Sequence, residues 1–257
     1  KKYSEQQKMI KRQHTFSGLF MLILAGLILM APVASQAAES GNLIAILSAD
    51  TTEVGVGKQV ARDYANIRQE IQRIAEYTNL NLKEVNLVGQ AVTRANMLKA
   101  LKGVQVKPND VVIFFHTGHG FRDKQKQTDW PYLYFSVNKS YLDYQEVIDL
   151  LAVKNPRLLV TMVSSCNNEL AANFSPVIYP QQANATVVDR QQVTKNYQAL
   201  FLQTSGQVFI TSSKPGEYSY TGVYPFAFLK SMNQEVTLQS MPSWDHLLEA
   251  TSAQSVL

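Results

Sequence analysis

Two apolar runs that each end at a reactive side chain constrain the fold of this chain most strongly. Residues 111–120 read VVIFFHTGHG, and residues 158–168 read LLVTMVSSCNN. A short run of apolar and β-branched residues is typical of a buried strand in a parallel sheet. Ligands of such sheets bind beyond the carboxyl ends of the strands. We therefore expect His119 and Cys166 to emerge at the same edge of one sheet.

Strand and helix patterns alternate along the rest of the chain. Apolar runs predict further strands at residues 43–47, 84–88, 132–137 and 207–211. Apolar residues three and four apart predict helices at residues 58–78, 143–153, 196–202 and 225–232, with a short helix after Thr93 and a last one containing Trp244. Polar segments at residues 120–131, 167–189 and 212–224 are expected to be loops. The alternation predicts an α/β fold of three layers, with a mainly parallel central sheet and helices on both faces.

The first 37 residues are typical of an export signal. The first 14 positions hold five basic residues and one acidic residue, an apolar run follows at residues 16–34, and small residues occupy positions 35 and 37. We predict a signal peptide at residues 1–37 and one domain at residues 38–257, in a periplasmic or secreted protein. The apolar run is close to the length that spans a bilayer, so an uncleaved membrane anchor at residues 16–34 is the alternative.

The charge distribution argues against nucleic acid as a partner. Residues 1–14 account for the whole formal net charge of +4, which leaves the predicted domain neutral. Nucleic-acid binding needs a basic patch or stripe, and none with interleaved aromatic residues remains after the signal.

The chain has a single cysteine and four histidines. A lone cysteine in an exported protein has no internal disulfide partner, so it is either a reactive thiol or a small buried hydrophobe. The position of Cys166, after a strand and before a polar loop, favours a nucleophile, which needs a base within hydrogen-bond reach. His119 lies between two glycines, which let a substrate backbone approach closely. We assign His119 as the base and expect His116 to be structural, donating to a loop carbonyl.

The same two loops supply the other groups that acyl transfer requires. The backbone N–H groups of Gly120 and Cys166 are the natural donors to an oxyanion. His116 and His119 suggest a metal pair as an alternative, but zinc needs three or four ligands and the sequence offers no further cluster of them. We predict a site without metal or other cofactor.

Three motifs resemble those of caspase-type cysteine peptidases, the group that includes metacaspases and bacterial caspase-like proteins. They are a strand followed by GHG at residues 118–120, a strand followed by SSC at 164–166, and KPGEYSY at 214–220. His119 precedes Cys166 by 47 residues, close to the spacing of about 50 in caspases. The resemblance covers about residues 42–233. It implies a caspase-like fold and a Cys166–His119 dyad that hydrolyses peptide bonds, with a protein or peptide substrate extended beside Ser219 and Tyr220.

The chain departs from these families where a substrate side chain would bind. Caspases hold aspartate with arginines, one of which follows the aromatic stretch, and Thr221 stands there instead. Metacaspases use acidic groups. One lies in the first helix, which matches Asp63, and one lies two residues before the cysteine, where this chain has Ser164. Thr117 is a conservative replacement in the same pocket. The resemblance therefore implies a weakened preference for Arg or Lys.

A second interpretation follows from the same departures. Ser164 and the atypical pair Asn167 and Asn168 after the cysteine are compatible with a caspase-like binding or scaffold module that has lost turnover. Covalent labelling of Cys166 and hydrolysis of basic peptides would separate the peptidase from the inactive module.

Overall fold

A parallel sheet forms the centre of the molecule. The structure is a computed structural model that describes residues 41–169 and 189–255. Its strands are β1 (Asn42–Ala49), β2 (Asn81–Val88), β3 (Val111–Thr117), β4 (Gly120–Phe121), β5 (Tyr132–Phe135), β6 (Ser140–Asp143), β7 (Leu158–Ser164) and β8 (Gly206–Thr211). Its α-helices are α1 (Gly57–Thr78), α2 (Arg94–Gly103), α3 (Tyr144–Ala152), α4 (Arg190–Gln198), α5 (Val223–Leu238) and α6 (Trp244–Gln254).

The central sheet has the strand order β2-β1-β3-β7-β8, and all of its pairs are parallel. Alternate residues of β3 face two separate cores, because successive side chains of a strand point to opposite faces. Val111, Ile113 and Phe115 pack with residues of α1, α4, α5 and α6, whereas Val112 and Phe114 pack with residues of α2 and α3. Helices thus cover both faces, and the predicted three-layer α/β fold is confirmed.

The second sheet corrects the sequence analysis. A loop was expected from residue 120 to 131, but Gly120 and Phe121 form β4, which pairs antiparallel with β5. β5 pairs in turn with β6, whose four residues SYLD contain no apolar run that would predict a strand. The Tyr134 N–H also donates to the His119 carbonyl at 3.0 Å. This small sheet therefore holds the chain immediately after β3.

Two helices differ in their bounds from the prediction. α4 begins at Arg190, earlier than expected, because the Asp189 side chain caps it by accepting from the N–H groups of Gln191 and Gln192. A π-helical turn, Ala199–Gln203, continues it. α5 begins two residues before Pro225. Proline fits in the first turn of a helix, because the N–H groups of that turn have no partner within the helix and the N–H that proline lacks is not needed. Most of the predicted loop at 167–189 lies outside the described residues.

The predicted signal at residues 1–37 also lies outside the described residues. Within residues 41–169 and 189–255, no helix has both the length and the apolar character needed to cross a bilayer.

Candidate active site

Cys166 lies just beyond the end of β7, at the edge of the sheet where it was expected, but its side chain is covered. Only 4% of the residue is exposed. The thiol donates to the Ser219 carbonyl, with Sγ and O 3.4 Å apart, and accepts from the Ser219 N–H, with N and Sγ 3.3 Å apart. Burial raises the pKa of the Cys166 thiol to about 11, although the Ser219 N–H lowers it. The sulfur is therefore a protonated thiol at neutral pH in this conformation.

Residues 216–219, called the covering segment here, lie along the chain that follows β7. The Asn167 N–H donates to the Glu217 carbonyl at 3.0 Å, and the Gly216 N–H donates to the Asn167 carbonyl at 2.7 Å. The Ser219 hydroxyl also bonds to the Ser212 hydroxyl at 2.6 Å. The first two bonds satisfy the N–H and the carbonyl of Asn167, which is buried. Ser219, which the resemblance assigns to substrate, thus contacts the thiol itself.

His119 follows β3 and is a quarter exposed. Its Nε2 lies 3.9 Å from Oε1 of Glu53, a residue of the loop between β1 and α1. Sequence reasoning did not assign Glu53 to the site. Its sequence neighbourhood carries no motif, and only the parallel pairing of β1 with β3 brings the two loops together.

Gly120 packs directly against the loop that carries the cysteine. A Cβ atom at position 120 would lie 2.5 Å from the Cys166 carbonyl oxygen and 2.7 Å from Cβ of Ser165. Real Cβ atoms do not approach backbone so closely, so only glycine fits without a shift of one loop. The residue that follows His119 is therefore in backbone contact with Cys166.

His116 is buried on the same face of β3 as Val112 and Phe114. Its environment is structural, as expected. Its partner differs from the prediction, because Nδ1 lies 3.0 Å from the Ser48 hydroxyl rather than on a loop carbonyl. The His116 ring also packs nearly perpendicular to the ring of Phe135. Burial lowers the pKa of His116 to about 4, although the Asp50 carboxylate raises it. His116 is consequently neutral at physiological pH.

Asp63 lies on the buried face of α1 and is 3% exposed. Its Oδ1 accepts from Gln59 Nε2 and its Oδ2 accepts from the Gly222 N–H, both at 3.0 Å. Burial raises the pKa of this carboxyl from 3.8 to about 6, although the bonds from Gln59 and Gly222 lower it, as does the nearby Thr117 hydroxyl. Burial thus destabilises the ionised form of Asp63, and the hydrogen bonds from its neutral partners offset this destabilisation only in part.

Thr117 and Ser164 lie opposite each other at the ends of β3 and β7. Both are buried. Ser164 Oγ has no hydrogen-bond partner among the described residues, and the contact of Thr117 Oγ1 with Asp63 falls outside ordinary hydrogen-bond geometry. Gly222, which donates to Asp63, follows Ser219, which contacts the thiol, by three residues that span at most about 11 Å. The Asp63 carboxylate therefore lies near the chain segment that covers Cys166.

Asn167 is a further residue whose role was not predicted. Its side-chain amide donates to the Asp129 carbonyl at 2.7 Å, and its Oδ1 accepts from Arg122 at 3.4 Å. Arg122 in turn donates to the carbonyls of Lys126 and Thr128. The residue after the cysteine thus braces the loop between β4 and β5. An asparagine there is explained by structure alone, which weakens the reason to see it as a sign of lost activity.

A family model described as the caspase domain matches residues 58–252, most of the chain, and this range includes Asp63, His119 and Cys166. No curated protein matches the chain.

Proposed function

This chain belongs to the caspase family of cysteine peptidases, and from that premise we propose that it is an exported endopeptidase with Cys166 as nucleophile and His119 as base. The close approach of Gly120 to the Cys166 carbonyl supports this assignment most directly. Because of this approach, the loop that carries His119 contacts the loop that carries Cys166. Family membership makes proteins or peptides the substrates.

The proposed reaction follows from the properties of a thiol and an imidazole. His119 removes the proton of the Cys166 thiol, and the thiolate attacks the carbonyl carbon of the scissile bond. The N–H groups of Gly120 and Cys166 stabilise the oxyanion that forms. The imidazolium then returns the proton to the leaving amine, and a water molecule, deprotonated by His119, hydrolyses the thioester.

The conformation described here has to open before this reaction begins. Ser219 occupies both the donor and the acceptor capacity of the thiol, and burial raises the thiol pKa to about 11. An extended peptide that takes over the backbone bonds of Ser219 would free the sulfur and bring a carbonyl beside it. Substrate binding and activation of the nucleophile are thus the same event in this proposal.

Glu53 is the proposed positioning residue for His119. A carboxylate 3.9 Å from Nε2 attracts the imidazolium that forms during acylation and favours a ring position close to Glu53. Because both groups are partly exposed, solvent screens the interaction. We expect Glu53→Gln to lower kcat about three- to tenfold with KM unchanged. The matched control is Glu76→Gln, which removes an exposed carboxylate of α1 that pairs with Arg190 and should leave kcat unchanged; equal kcat values for the Glu53 variant and the unaltered chain would contradict the role.

Gly120→Ala tests the contact between the two loops. The added methyl group has to displace the Cys166 backbone or the His119 loop, because it would otherwise lie 2.5 Å from a carbonyl oxygen. A misplacement of about 1 Å in a catalytic group costs on the order of 100-fold in rate. We therefore expect kcat/KM per folded molecule to fall by about that factor. Gly103→Ala is the control, since its methyl group would meet no atom within 4 Å and should not change the rate. Full activity of the Gly120 variant would contradict the proposed geometry.

The buried carboxylate of Asp63 supports a basic residue, Arg or Lys, immediately before the cleaved bond. A cation delivered by the substrate would compensate the desolvation that raises the pKa of Asp63 to about 6. Basic substrates should therefore bind more tightly as the pH rises through 6, because the carboxyl then ionises.

The inactive binding module is the second candidate, and the covered, protonated thiol favours it. Hydrolysis of fluorogenic peptides separates the two. We expect the full chain to cleave peptides with Arg or Lys before the reporter, and we expect this activity to disappear in Cys166→Ala. Peptide binding with no turnover by the unaltered chain would favour the module instead.

Export is tested by sequencing the N-terminus of the mature protein, which should begin near residue 38; retention of residues 16–34 would indicate an anchor.

A further inference from the structure

Asp50 follows β1 and carries a carboxylate that lies entirely inside the protein. The residue is fully buried, and three neutral donors satisfy its two oxygens. Oδ1 accepts from the Thr52 hydroxyl at 2.9 Å, and Oδ2 accepts from the N–H and the hydroxyl of Ser136 at 2.9 and 2.6 Å. Such bonds replace the hydration that a carboxylate loses on burial. Asp50 therefore depends on Thr52 and Ser136, and it fixes both of them in turn.

The two residues that bind this carboxylate lie next to the supports of His119. Thr52 immediately precedes Glu53, whose Oε1 lies 3.9 Å from Nε2 of His119. Ser136 follows β5 and comes two residues after Tyr134, whose N–H donates to the His119 carbonyl at 3.0 Å. One buried carboxylate thus joins the loop that places Glu53 beside the imidazole to the strand that holds the His119 backbone.

The end of β3 also meets Asp50 directly. The Asp50 N–H donates to the Thr117 carbonyl at 3.1 Å. A Cβ atom at position 118 would lie 3.1 Å from Cβ of Asp50, so the residue before His119 packs closely against Asp50. Asp50 consequently contacts the end of β3, the end of β5 and the loop that carries Glu53.

We propose that Asp50 is a positioning residue, which holds His119 and Glu53 in the arrangement that the proposed proton transfer needs. The inference rests on the proposed peptidase function and adds a residue to it. Because Asp50 is fully buried, it acts through His119 and Glu53 rather than on the substrate. Without its carboxylate, the hydroxyls of Thr52 and Ser136 keep only the 3.3 Å contact with each other among the described residues. The loop of Glu53 would then be released from β5.

Peptide hydrolysis by Asp50→Ala tests this role. We expect kcat to fall on the order of 10- to 100-fold, because a small misplacement of a catalytic base slows the reaction, and KM to change by less than about twofold. Asp50→Asn should keep kcat within about threefold, because its oxygen accepts both bonds from Ser136 and its amide donates to the Thr52 hydroxyl. In the Asp50→Ala background, Glu53→Gln should lower kcat by less than about twofold, since its contact is already lost. Additive losses of kcat would overturn the inference.

Asp110→Ala is the matched control. Asp110 is as buried as Asp50 and also accepts three hydrogen bonds, two from Asn42 and one from the Lys107 N–H. It directly precedes β3, however, and so lies at the opposite end of that strand from His119. Its substitution should lower stability and leave kcat per folded molecule unchanged. An equal loss of kcat in the two alanine variants would contradict a specific role for Asp50.

Modification of His119 by diethyl pyrocarbonate tests the inference without turnover. Mass spectrometry gives its rate relative to that of His246, which lies on α6, is half exposed and serves as the internal reference. We expect Asp50→Ala to raise this ratio at least about threefold, because the imidazole is no longer held against Glu53. An unchanged ratio would overturn the inference. If the unaltered chain hydrolyses no peptide, the proposed function fails, and the ratio alone decides the role of Asp50.

Thr52→Val replaces Asp50→Ala in both measurements if the latter does not fold. Thr52 is exposed, so its substitution releases the Glu53 loop without opening the core. It should lower kcat at least about threefold and raise the modification ratio, whereas Thr52→Ser, which keeps the hydroxyl, should do neither. An unchanged ratio in Thr52→Val would overturn the inference.

Discussion

Cys166→Ala is expected to reduce peptide hydrolysis to the background rate, a loss of at least about 10³-fold in kcat. Alanine keeps the backbone N–H that is proposed to hold the oxyanion, so the variant removes the nucleophile alone. His119→Ala should lose activity to a similar extent, because the thiol, whose pKa burial raises to about 11, then has no base. The double variant should be no slower than either single variant, since a nucleophile and its base act as one unit.

Two measurements guard this result. Peptide binding by Cys166→Ala should persist, which shows that the loss lies in chemistry. His246→Gln is the control for the histidine change: His246 lies on α6 against Glu235, and its replacement should affect the packing of α5 with α6 without lowering kcat per folded molecule. Residual hydrolysis by Cys166→Ala above one hundredth of the original rate would exclude Cys166 as the nucleophile.

Asp63→Asn is expected to abolish cleavage after basic residues while making the protein more stable at neutral pH. The pKa of Asp63 is raised from 3.8 to about 6 by burial, so the folded state holds the proton more tightly than the unfolded state does. The carboxylate consequently destabilises the fold as the pH rises from about 4 to 6, and the full cost applies above pH 6. Two units of pKa correspond to about 3 kcal/mol. Asparagine removes this cost and accepts from the Gly222 N–H, while a flipped Gln59 amide accepts from its amide group.

The free energy of unfolding, measured with urea at pH 4 and at pH 8, checks this prediction. The Asp63 variant should exceed the unaltered chain by up to about 3 kcal/mol at pH 8 and by less than about 1 kcal/mol at pH 4. Asp110→Asn is the matched control with the opposite sign. Burial raises the pKa of Asp110, but hydrogen bonds from Lys107 and Asn42 outweigh it, and the pKa is lowered. That substitution should therefore destabilise the protein above pH 4. Equal stability of the Asp63 variant and the unaltered chain at pH 8 would contradict the conclusion that burial of Asp63 among neutral partners destabilises its carboxylate.

The strands that carry the candidate site could be predicted because their signal is local. β3 and β7 are mostly apolar, and the polar residues at their ends, His116 and Thr117 in β3 and Ser164 in β7, mark where the strands stop. The helices with three- and four-residue spacing were predictable for the same reason. β4 and β6 were not, because strands of two and four residues depend on pairing with β5 rather than on their own composition.

Contacts between sequence-distant loops were the least predictable part of the site. The sequence places Cys166 at a strand end, but the bonds from Ser219 that cover its thiol depend on how residues 216–219 fold back. Glu53 reaches His119 only because β1 and β3 are neighbours. Gly120 was expected to let a substrate backbone approach, and its contact with the Cys166 backbone was not predicted.

The central claim is tested most directly by the rates at which two reagents alkylate Cys166 in the full chain at neutral pH. One reagent is a lysyl peptide chloromethylketone and the other is iodoacetamide, and mass spectrometry identifies the modified residue. The peptide reagent carries the groups proposed to displace the covering segment, whereas iodoacetamide meets a buried, protonated thiol. We predict that the peptide reagent alkylates Cys166 at least about 100-fold faster than iodoacetamide, and that His119→Ala abolishes this advantage. Equal rates for the two reagents, or no adduct on Cys166 from either, would contradict the claim that Cys166 and His119 form a substrate-activated catalytic pair.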